Sequence, residues 1–210
     1  MRPALVVLVI LIVLLLAVEV MIKLLAKKYM DQMAECLYKK DLAAFDALTG
    51  KKLVQLTVPP FNFHYMRLQR YYMVNDDKNI EKIFEMFDQV KLNGQQKTEV
   101  LVNGFQYYLN KKNKEKASSY LEKLKNTNIE QQVITNYERL IRVFINDDTS
   151  LLETLLEETE GLEDRYKGNN EYMIARIYQN LHKKDLAKEY QKRAEQHTRQ
   201  FNEELNKTKE

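Results

Sequence analysis

The sequence is poor in residues that interrupt or cross-link a chain. Its 210 residues include five glycines, three prolines, one cysteine and no tryptophan. This composition excludes a long all-β fold, because many short strands require many Gly- and Pro-rich turns. The single Cys36 permits no internal disulfide, and we expect it to pack as a small apolar residue in a helix. These absences favour a helical, globular chain.

The sequence also lacks the patterns that carry catalysis or metal binding. The three histidines, His64, His182 and His197, lie far apart, and none has a metal-ligand spacing to another histidine or to a cysteine. No glycine-rich phosphate loop is present. Acidic residues between positions 153 and 164 surround leucines, which predicts a solvated helix face rather than a calcium site. We therefore expect no enzyme activity, no cofactor and no metal.

Net positive charge is missing from most of the chain. The formal charge of +3 arises within residues 1–28, where Arg2, Lys23, Lys27 and Lys28 accompany Glu19. The remaining residues are balanced in charge. Because a nucleic-acid-binding domain needs a basic surface, we expect no nucleic-acid partner.

One long apolar run is present at the N-terminus. Residues 4–18 are all apolar, and three of the next four residues are apolar as well. As a helix, residues 4–22 span roughly 28 Å, which matches the hydrocarbon core of a bilayer. The run predicts a transmembrane anchor, and residues 1–28 form the anchor with its basic flank. A cleaved signal peptide is the main alternative, but Ala17-Val18-Glu19 supplies no small-x-small cleavage site.

Lysines after the apolar run indicate its orientation. Lys23, Lys27, Lys28, Lys39 and Lys40 follow the run, and the positive-inside rule therefore predicts a cytoplasmic C-terminal domain. An anchor with the domain outside the cell remains an alternative.

The anchor is followed by a first pair of helices over residues 29–60. No Pro or Gly interrupts residues 21–38, so we expect the membrane helix to continue into the domain. Asp41 is placed to cap a short second helix that ends at Thr49-Gly50. The stretch from Lys51 breaks the helical pattern, and Pro59-Pro60 separates this pair from the rest of the chain.

Residues 61–201 contain an internal repeat. Four segments align without gaps: RYYMVND from Arg70, QYYLNKK from Gln106, RVFINDD from Arg142 and RIYQNLH from Arg176. Each unit of about 34–36 residues holds two helical patterns around a short polar break, as in a helix-turn-helix solenoid. The breaks are Asn75-Asp76-Asp77, Lys111-Lys112-Asn113, Asp147-Asp148-Thr149 and His182-Lys183-Lys184. Each helix carries one apolar stripe, such as Ile80, Ile83, Phe84 and Phe87.

The last unit resembles the tetratricopeptide repeat (TPR) family. Ala175, Tyr178, Ala187 and Ala194 stand at the mutual spacings of that family's small and aromatic residues. The resemblance implies an all-α, right-handed helical-hairpin solenoid of about four units, preceded by the single transmembrane helix. Residues 202–210 are expected to be a frayed polar tail. The small position of the first helix departs from the family in the other units, where it is Gln69, Phe105 or Ile141.

Two sets of equivalent residues are candidates for a peptide-binding groove. In the resembled family the first helix of each unit lines the concave face, where arginine and amide side chains suit carboxylates and peptide backbone. The candidates are Arg70, Gln106, Arg142 and Arg176, with Asn110, Asn146 and Asn180 four residues later. Local pairing of the arginines with Asp or Glu is the alternative.

These patterns predict a membrane-anchored interaction module. The expected function is recruitment of a protein or peptide partner to the membrane surface, and the arginines of the proposed groove would suit an acidic one. A scaffold that assembles through its anchor or its outer surface, with no peptide groove, is the alternative.

Overall fold

The structure is a computed structural model that describes the backbone of residues 3–207 and the side chains of residues 7–204. Within these residues the chain is all-α and contains no strand. The helices are α1 (Pro3–Tyr38), α2 (Leu42–Thr49), α3 (Lys52–Thr57), α4 (Pro60–Met73), α5 (Asp77–Phe87), α6 (Gly94–Asn110), α7 (Lys114–Lys125), α8 (Gln131–Phe144), α9 (Leu152–Glu160), α10 (Asp164–Asn180) and α11 (Lys184–Lys207). Residues 208–210 of the predicted tail lie outside the described residues.

Helix α1 is one continuous helix of 36 residues. This confirms that the apolar N-terminal helix continues to Tyr38. Its Val7–Tyr38 stretch is long and apolar enough to cross a membrane, with a mean hydropathy of 3.0 in its most apolar window. Its apolar side chains from Val7 to Leu24 are exposed, whereas Ala26 and Met33 are buried. The N-terminal part of α1 is therefore apolar and exposed, and its C-terminal part packs into the protein.

The chain divides into two compact units, and the first is Met1–Gln96. Its core contains Met33 from α1, Phe45 from α2, Val54 from α3 and Phe63 from α4. The predicted apolar stripe of α5 is confirmed, since all four of its residues are buried: Ile80, Ile83, Phe84 and Phe87.

The second unit is Lys97–Glu210. One core cluster centres on Phe105, Leu124 and Ile134. The other cluster includes Leu155, Ile174 and Ile177. Leu140 and Phe144 of α8 pack against both clusters, and α8 therefore joins them into one core.

A tight left-handed turn recurs between paired helices. One non-glycine residue with φ between 52° and 58° occurs at each of Lys40, Asn75, Lys112, Asp147 and His182. After Lys40, Asn75, Lys112 and His182, the next amide donates to the carbonyl oxygen five residues earlier, which closes the preceding helix. All four predicted breaks fall at such turns, and the turn at Lys40 shows that α1 and α2 form a hairpin of the same kind.

Side-chain caps begin the helices after these turns. Asp41, Asp76 and Asn113 each accept a hydrogen bond from the amide three residues later. The predicted cap at Asp41 is confirmed, with a distance of 3.0 Å between the Ala44 N and the Asp41 Oδ1. The turn between α8 and α9 is longer, and there the Asp148 carboxylate accepts from the Ser150 amide at 2.8 Å.

The structure adds helix where the sequence indicated irregular chain. Helix α3 forms inside the stretch from Lys51 to Pro60, and Pro60 occupies the first position of α4, where a missing N–H removes no helical hydrogen bond. Helix α11 continues to Lys207, into the predicted polar tail. Its last turns are fixed to α10 by the ion pair between the Arg165 Nη1 and the Glu204 Oε2, at 2.9 Å.

Candidate functional site

The three candidate arginines all have aspartate partners. Arg70 binds Asp46 through two hydrogen bonds, from Nε at 3.1 Å and from Nη2 at 2.7 Å. Such a bidentate pair fixes the guanidinium in one orientation. Because Asp46 lies on α2, the pair joins that helix to α4.

Arg142 and Arg176 pair around the turn between α8 and α9. The Arg142 Nε lies 2.8 Å from the Asp148 Oδ2. The Arg176 Nη2 lies 2.9 Å from the Asp147 Oδ1, which brings α10 to the same turn. All three arginines therefore pair with an acidic residue, but the local pairing that the sequence left as an alternative is present only at Arg142; the partners of Arg70 and Arg176 lie 24 and 29 residues away.

The four candidate amides differ in their surroundings. Gln106, Asn110 and Asn146 are exposed to solvent. Asn180 is half-buried, and its Nδ2 donates to the Val143 backbone oxygen at 3.2 Å. Asn180 therefore joins α10 to α8, while the exposed amides are free to meet a ligand from solvent.

A cavity of about 250 Å³ in the second unit collects part of the candidate set. It lies among residues of α6, α8 and α10, the turn that follows α6, and one residue of α11. Its lining consists of Leu109, Asn110, Lys112, Phe144, Tyr172, Ala175, Arg176, Gln179 and Gln191. Of the seven candidates, Asn110 and Arg176 line this cavity; Gln106, Arg142, Asn146 and Asn180 do not, and Arg70 belongs to the first unit.

The chemistry of this cavity suits an acidic peptide segment. Asn110, Gln179 and Gln191 provide amides that can both donate and accept hydrogen bonds. Lys112 and Arg176 provide positive charge, and none of the described lining residues is acidic. Phe144 and Tyr172 stack with their ring centroids 4.9 Å apart and form an aromatic wall.

The Arg176 guanidinium is held at the edge of the aromatic wall. Its central carbon lies 6.0 Å from the centroid of the Phe144 ring, within the range of a cation–π contact. Its Nη1 also contacts the Gln179 Oε1 at 3.4 Å. Its Nε is buried and has no hydrogen-bond partner among the described residues. The contacts to Asp147 and Gln179 therefore fix the guanidinium, but its Nε–H donor remains without a hydrogen bond.

A buried charged cluster between α10 and α11 was not predicted. Glu171 is completely buried, its Oε1 is 3.1 Å from the Arg193 Nε, and its Oε2 is 2.6 Å from the His197 Nδ1. The cluster fixes the long α11 against α10, since loss of either partner would leave a buried carboxylate poorly compensated. Glu171 lies more than twenty residues from both partners, so no helical spacing in the sequence indicates the contact.

The histidines and the cysteine have the surroundings expected from the sequence only in part. His182 is exposed, but His64 and His197 are half-buried and not simple surface residues. Cys36 packs beside the first core. The described residues contain no group of three or more His, Cys, Asp or Glu side chains that could hold a metal ion.

Comparisons with protein-family models, with curated proteins and with solved structures give no match. The class of this protein therefore follows from its fold alone: it is an all-α chain with one long apolar N-terminal helix.

Proposed function

We propose that this chain is a membrane-anchored, TPR-like interaction module that recruits a protein partner to the membrane surface. In this proposal the apolar part of α1 crosses the bilayer, and the following hairpins stack as a right-handed solenoid. The observation that carries the proposal is the cavity around Asn110, Phe144 and Arg176, because it combines amides, positive charge and an aromatic wall on the first helices.

The anchor is supported by the exposure of α1. Leu15 is 69% exposed and Leu14 is 55% exposed, although both lie in a long apolar run. Side chains of this kind are stable in hydrocarbon and costly in water. The lysines after the run favour a cytoplasmic location for both compact units.

The solenoid is supported by the recurring turns. Four turns share one geometry, and the longer turn after α8 also contains one left-handed residue, Asp147. Recurring helix-turn-helix units are the building blocks of helical repeat proteins. Gly104 supports close packing within its hairpin, because a Cβ on this residue would overlap the ring of Tyr120 on α7. Gly168 plays the same part against Thr198 on α11.

The proposed ligand is a short acidic peptide segment of a partner protein. Asn110, Gln179 and Gln191 would bind the peptide backbone, and Lys112 with Arg176 would bind an acidic side chain. The Asp147 carboxylate already holds Arg176, so a peptide carboxylate would share this guanidinium with Asp147. We therefore expect weak, reversible binding that declines with added salt.

Site-specific photo-cross-linking in membranes tests this function. A photoreactive residue at Gln179 should form a partner adduct in cells, and the adduct should weaken strongly when Lys112→Gln and Arg176→Gln are combined. The matched control places the photoreactive residue at Glu157, which is exposed on α9 and does not line the cavity. Adducts that form at Glu157 but not at Gln179 would contradict the groove and favour a scaffold that uses its outer surface.

A further inference from the structure

The first unit contains a second, larger cavity with a different chemistry. It has a volume of about 550 Å³ and lies among residues of α2, α3 and α4. This volume falls within the range of about 300–1,000 Å³ that is common for small-molecule sites. Phe45 and Phe63 belong to the core cluster as well as to the cavity wall, so one side of the cavity is fixed by the packed core.

Cationic groups outnumber acidic groups around this cavity. Arg67 and Arg70 line it, and Asp46 is the one acidic residue in its described lining. Arg70 and Asp46 neutralise each other through their bidentate pair. The charge of Arg67 is then left without a compensating carboxylate within the cavity.

Arg67 is positioned by aromatic groups and not by an ion pair. Its Nη2 donates to the Tyr71 hydroxyl at 3.1 Å. Its guanidinium carbon lies 5.5 Å from the Phe63 ring centroid and 5.8 Å from the Tyr71 ring centroid. The described residues place no carboxylate in an ion pair with it, although its side chain is half-buried. A half-buried guanidinium that has only a hydroxyl and ring faces as partners can still bind an oxyanion through its remaining N–H groups.

His64 adds a polar group that remains neutral near pH 7. Burial, followed by the positive charge of Arg67, lowers the pKa of His64 below its ordinary value of 6.5. Its Nδ1 is buried and has no hydrogen-bond partner in the described chain. A bound anion would offset the charge of Arg67 and so make protonation of His64 more favourable.

We propose that this cavity binds a phosphate group, with Arg67 as its principal ligand and Arg70 as a shared ligand. Two N–H donors of a guanidinium fork match two phosphate oxygens. The charge of the neighbouring Arg70 is offset by Asp46, but its Nη1 donors are not used in that pair and can also bind the phosphate. The proposal concerns a small ligand in the first unit and does not depend on the peptide site of the second unit.

The phosphate could belong to a soluble ester or to a lipid headgroup, and the anchor helps to distinguish them. Met33 of the adjoining core lies 11 residues beyond Ile22, which corresponds to about 16 Å along a helix. The headgroup layer on each side of a bilayer is only about 5–8 Å thick. If residues 4–22 span the membrane as proposed, Met33 lies beyond that layer. The cavity shares Phe45 and Phe63 with the core around Met33, and a soluble phosphate ester is therefore the expected ligand.

Phosphate titration of the full chain in neutral phosphatidylcholine nanodiscs tests the site. Inorganic phosphate and glycerol phosphate are added separately, and binding is followed by calorimetry and by the imidazole NMR signals of His64. We expect saturable binding and a raised pKa of His64 in the bound state. Arg67→Gln should weaken binding by about tenfold or more, because one charge-assisted contact contributes roughly this factor.

Two further variants separate a ligand role from a structural role. Asp46→Asn should tighten phosphate binding, because Arg70 would no longer be shared with a carboxylate. Arg139→Gln is the matched control: Arg139 is also half-buried, but it pairs bidentately with Glu158 in the second unit, at 2.7 and 2.8 Å. It should leave phosphate affinity unchanged. Arg67→Lys keeps the charge without the fork and should bind with intermediate affinity.

A lipid comparison identifies the source of the phosphate. The same chain is placed in nanodiscs that contain a phosphatidylinositol phosphate, and the His64 signals are recorded without soluble phosphate. A response only to this lipid, lost in Arg67→Gln, supports the phosphate site with a headgroup as its source. The proposal is overturned if neither form binds, if Arg67→Gln binds as well as the unmodified chain, or if Asp46→Asn binds less well.

Discussion

The two parts of α1 are equally helical but have different surroundings. Between Val7 and Leu24 the apolar side chains are exposed on all faces. Further along the same helix, Ala26 is 6% exposed and Met33 is completely buried. The second part is covered by the protein, whereas the first part needs another apolar environment. This difference supports our proposal that a bilayer covers the first part, while the second part belongs to the fold.

The difference extends to the pattern of residues. From Val7 to Val18 the first part is apolar on every face, which is not the pattern of an amphipathic surface helix. In the second part, Tyr29, Met30 and Leu37 pack against the core while Asp31 and Glu35 are exposed. The change from one pattern to the other marks where the environment of α1 changes.

Charges in the exposed part should have the largest effect on membrane association. Leu11→Arg combined with Leu14→Arg places two guanidinium groups in the centre of the proposed span, at a cost of about 2.5–3.5 kcal/mol each. We expect most of this variant to leave the membrane fraction on alkaline carbonate extraction. Leu11→Phe with Leu14→Phe is the apolar control and should remain in the pellet. Equal retention of the arginine and phenylalanine variants would contradict the proposal that this part of α1 lies in a bilayer.

Truncation in the packed part should affect folding but not membrane association. Met33→Ala removes a completely buried side chain and should lower the free energy of unfolding by about 2–5 kcal/mol. Leu14→Ala removes an exposed side chain and should change that free energy by less than about 0.5 kcal/mol. Denaturant titration in a mild detergent, followed by circular dichroism, measures both values. A similar loss for the two variants would show that both parts of α1 are packed alike.

Acid should weaken the packed part and leave the anchor unaffected. The pKa of His64 is lowered by burial and then by the charge of Arg67, so the unfolded chain binds this proton more readily than the folded chain. The free energy of unfolding should therefore decrease as the pH falls below about 6.5 and should not respond to His64 above it. Thermal unfolding of the unmodified chain and His64→Gln between pH 7.5 and 5.5 tests this. The variant should lose less stability over that range, and an equal loss in both chains would contradict the assignment to His64.

The turn at the end of α1 should give a small gain. Lys40 has φ of 56°, a left-handed conformation that asparagine tolerates better than lysine. Lys40→Asn should raise the free energy of unfolding by about 0.5–1 kcal/mol, because it removes strain without removing a contact of the core. Lys39→Asn, one residue earlier in the same turn and not among the residues with positive φ, is the control. It should not stabilise the chain, because it relieves no left-handed strain and removes the exposed ion pair between Lys39 and Glu35. A loss of stability in Lys40→Asn would show that the lysine side chain has an additional role.

Local features of the fold were predictable from the sequence. The polar break after Met73 lies between helices because Asn75 tolerates a left-handed conformation. This break and the one after Asn110 also supply Asp76 and Asn113, which cap the next helices. The continuity of α1 followed from its lack of Pro and Gly. Both features depend on residues within a few positions of one another, which is the range that a sequence pattern describes.

Features that depend on distant residues were not predictable. The sequence indicated that Arg70 and Arg176 form a ladder, but not that Asp46 and Asp147 would already hold them. These pairs join residues 24 and 29 positions apart. The buried Glu171 is a similar case, because its partners depend on how α10 and α11 pack. Helix α3 is only six residues long and too short to show a periodic pattern.

Cysteine accessibility tests directly whether a bilayer covers the first part of α1, between Val7 and Leu24. In a Cys36→Ser background, Leu14→Cys and Lys112→Cys are each treated with a membrane-impermeant maleimide in intact cells, in opened membranes and after detergent solubilisation. If the anchor spans the bilayer, we expect Leu14→Cys to react only after solubilisation and Lys112→Cys to react as soon as the membranes are opened. Labelling of Leu14→Cys in intact or opened membranes would contradict the anchor, and labelling of Lys112→Cys in intact cells would place the helical units outside.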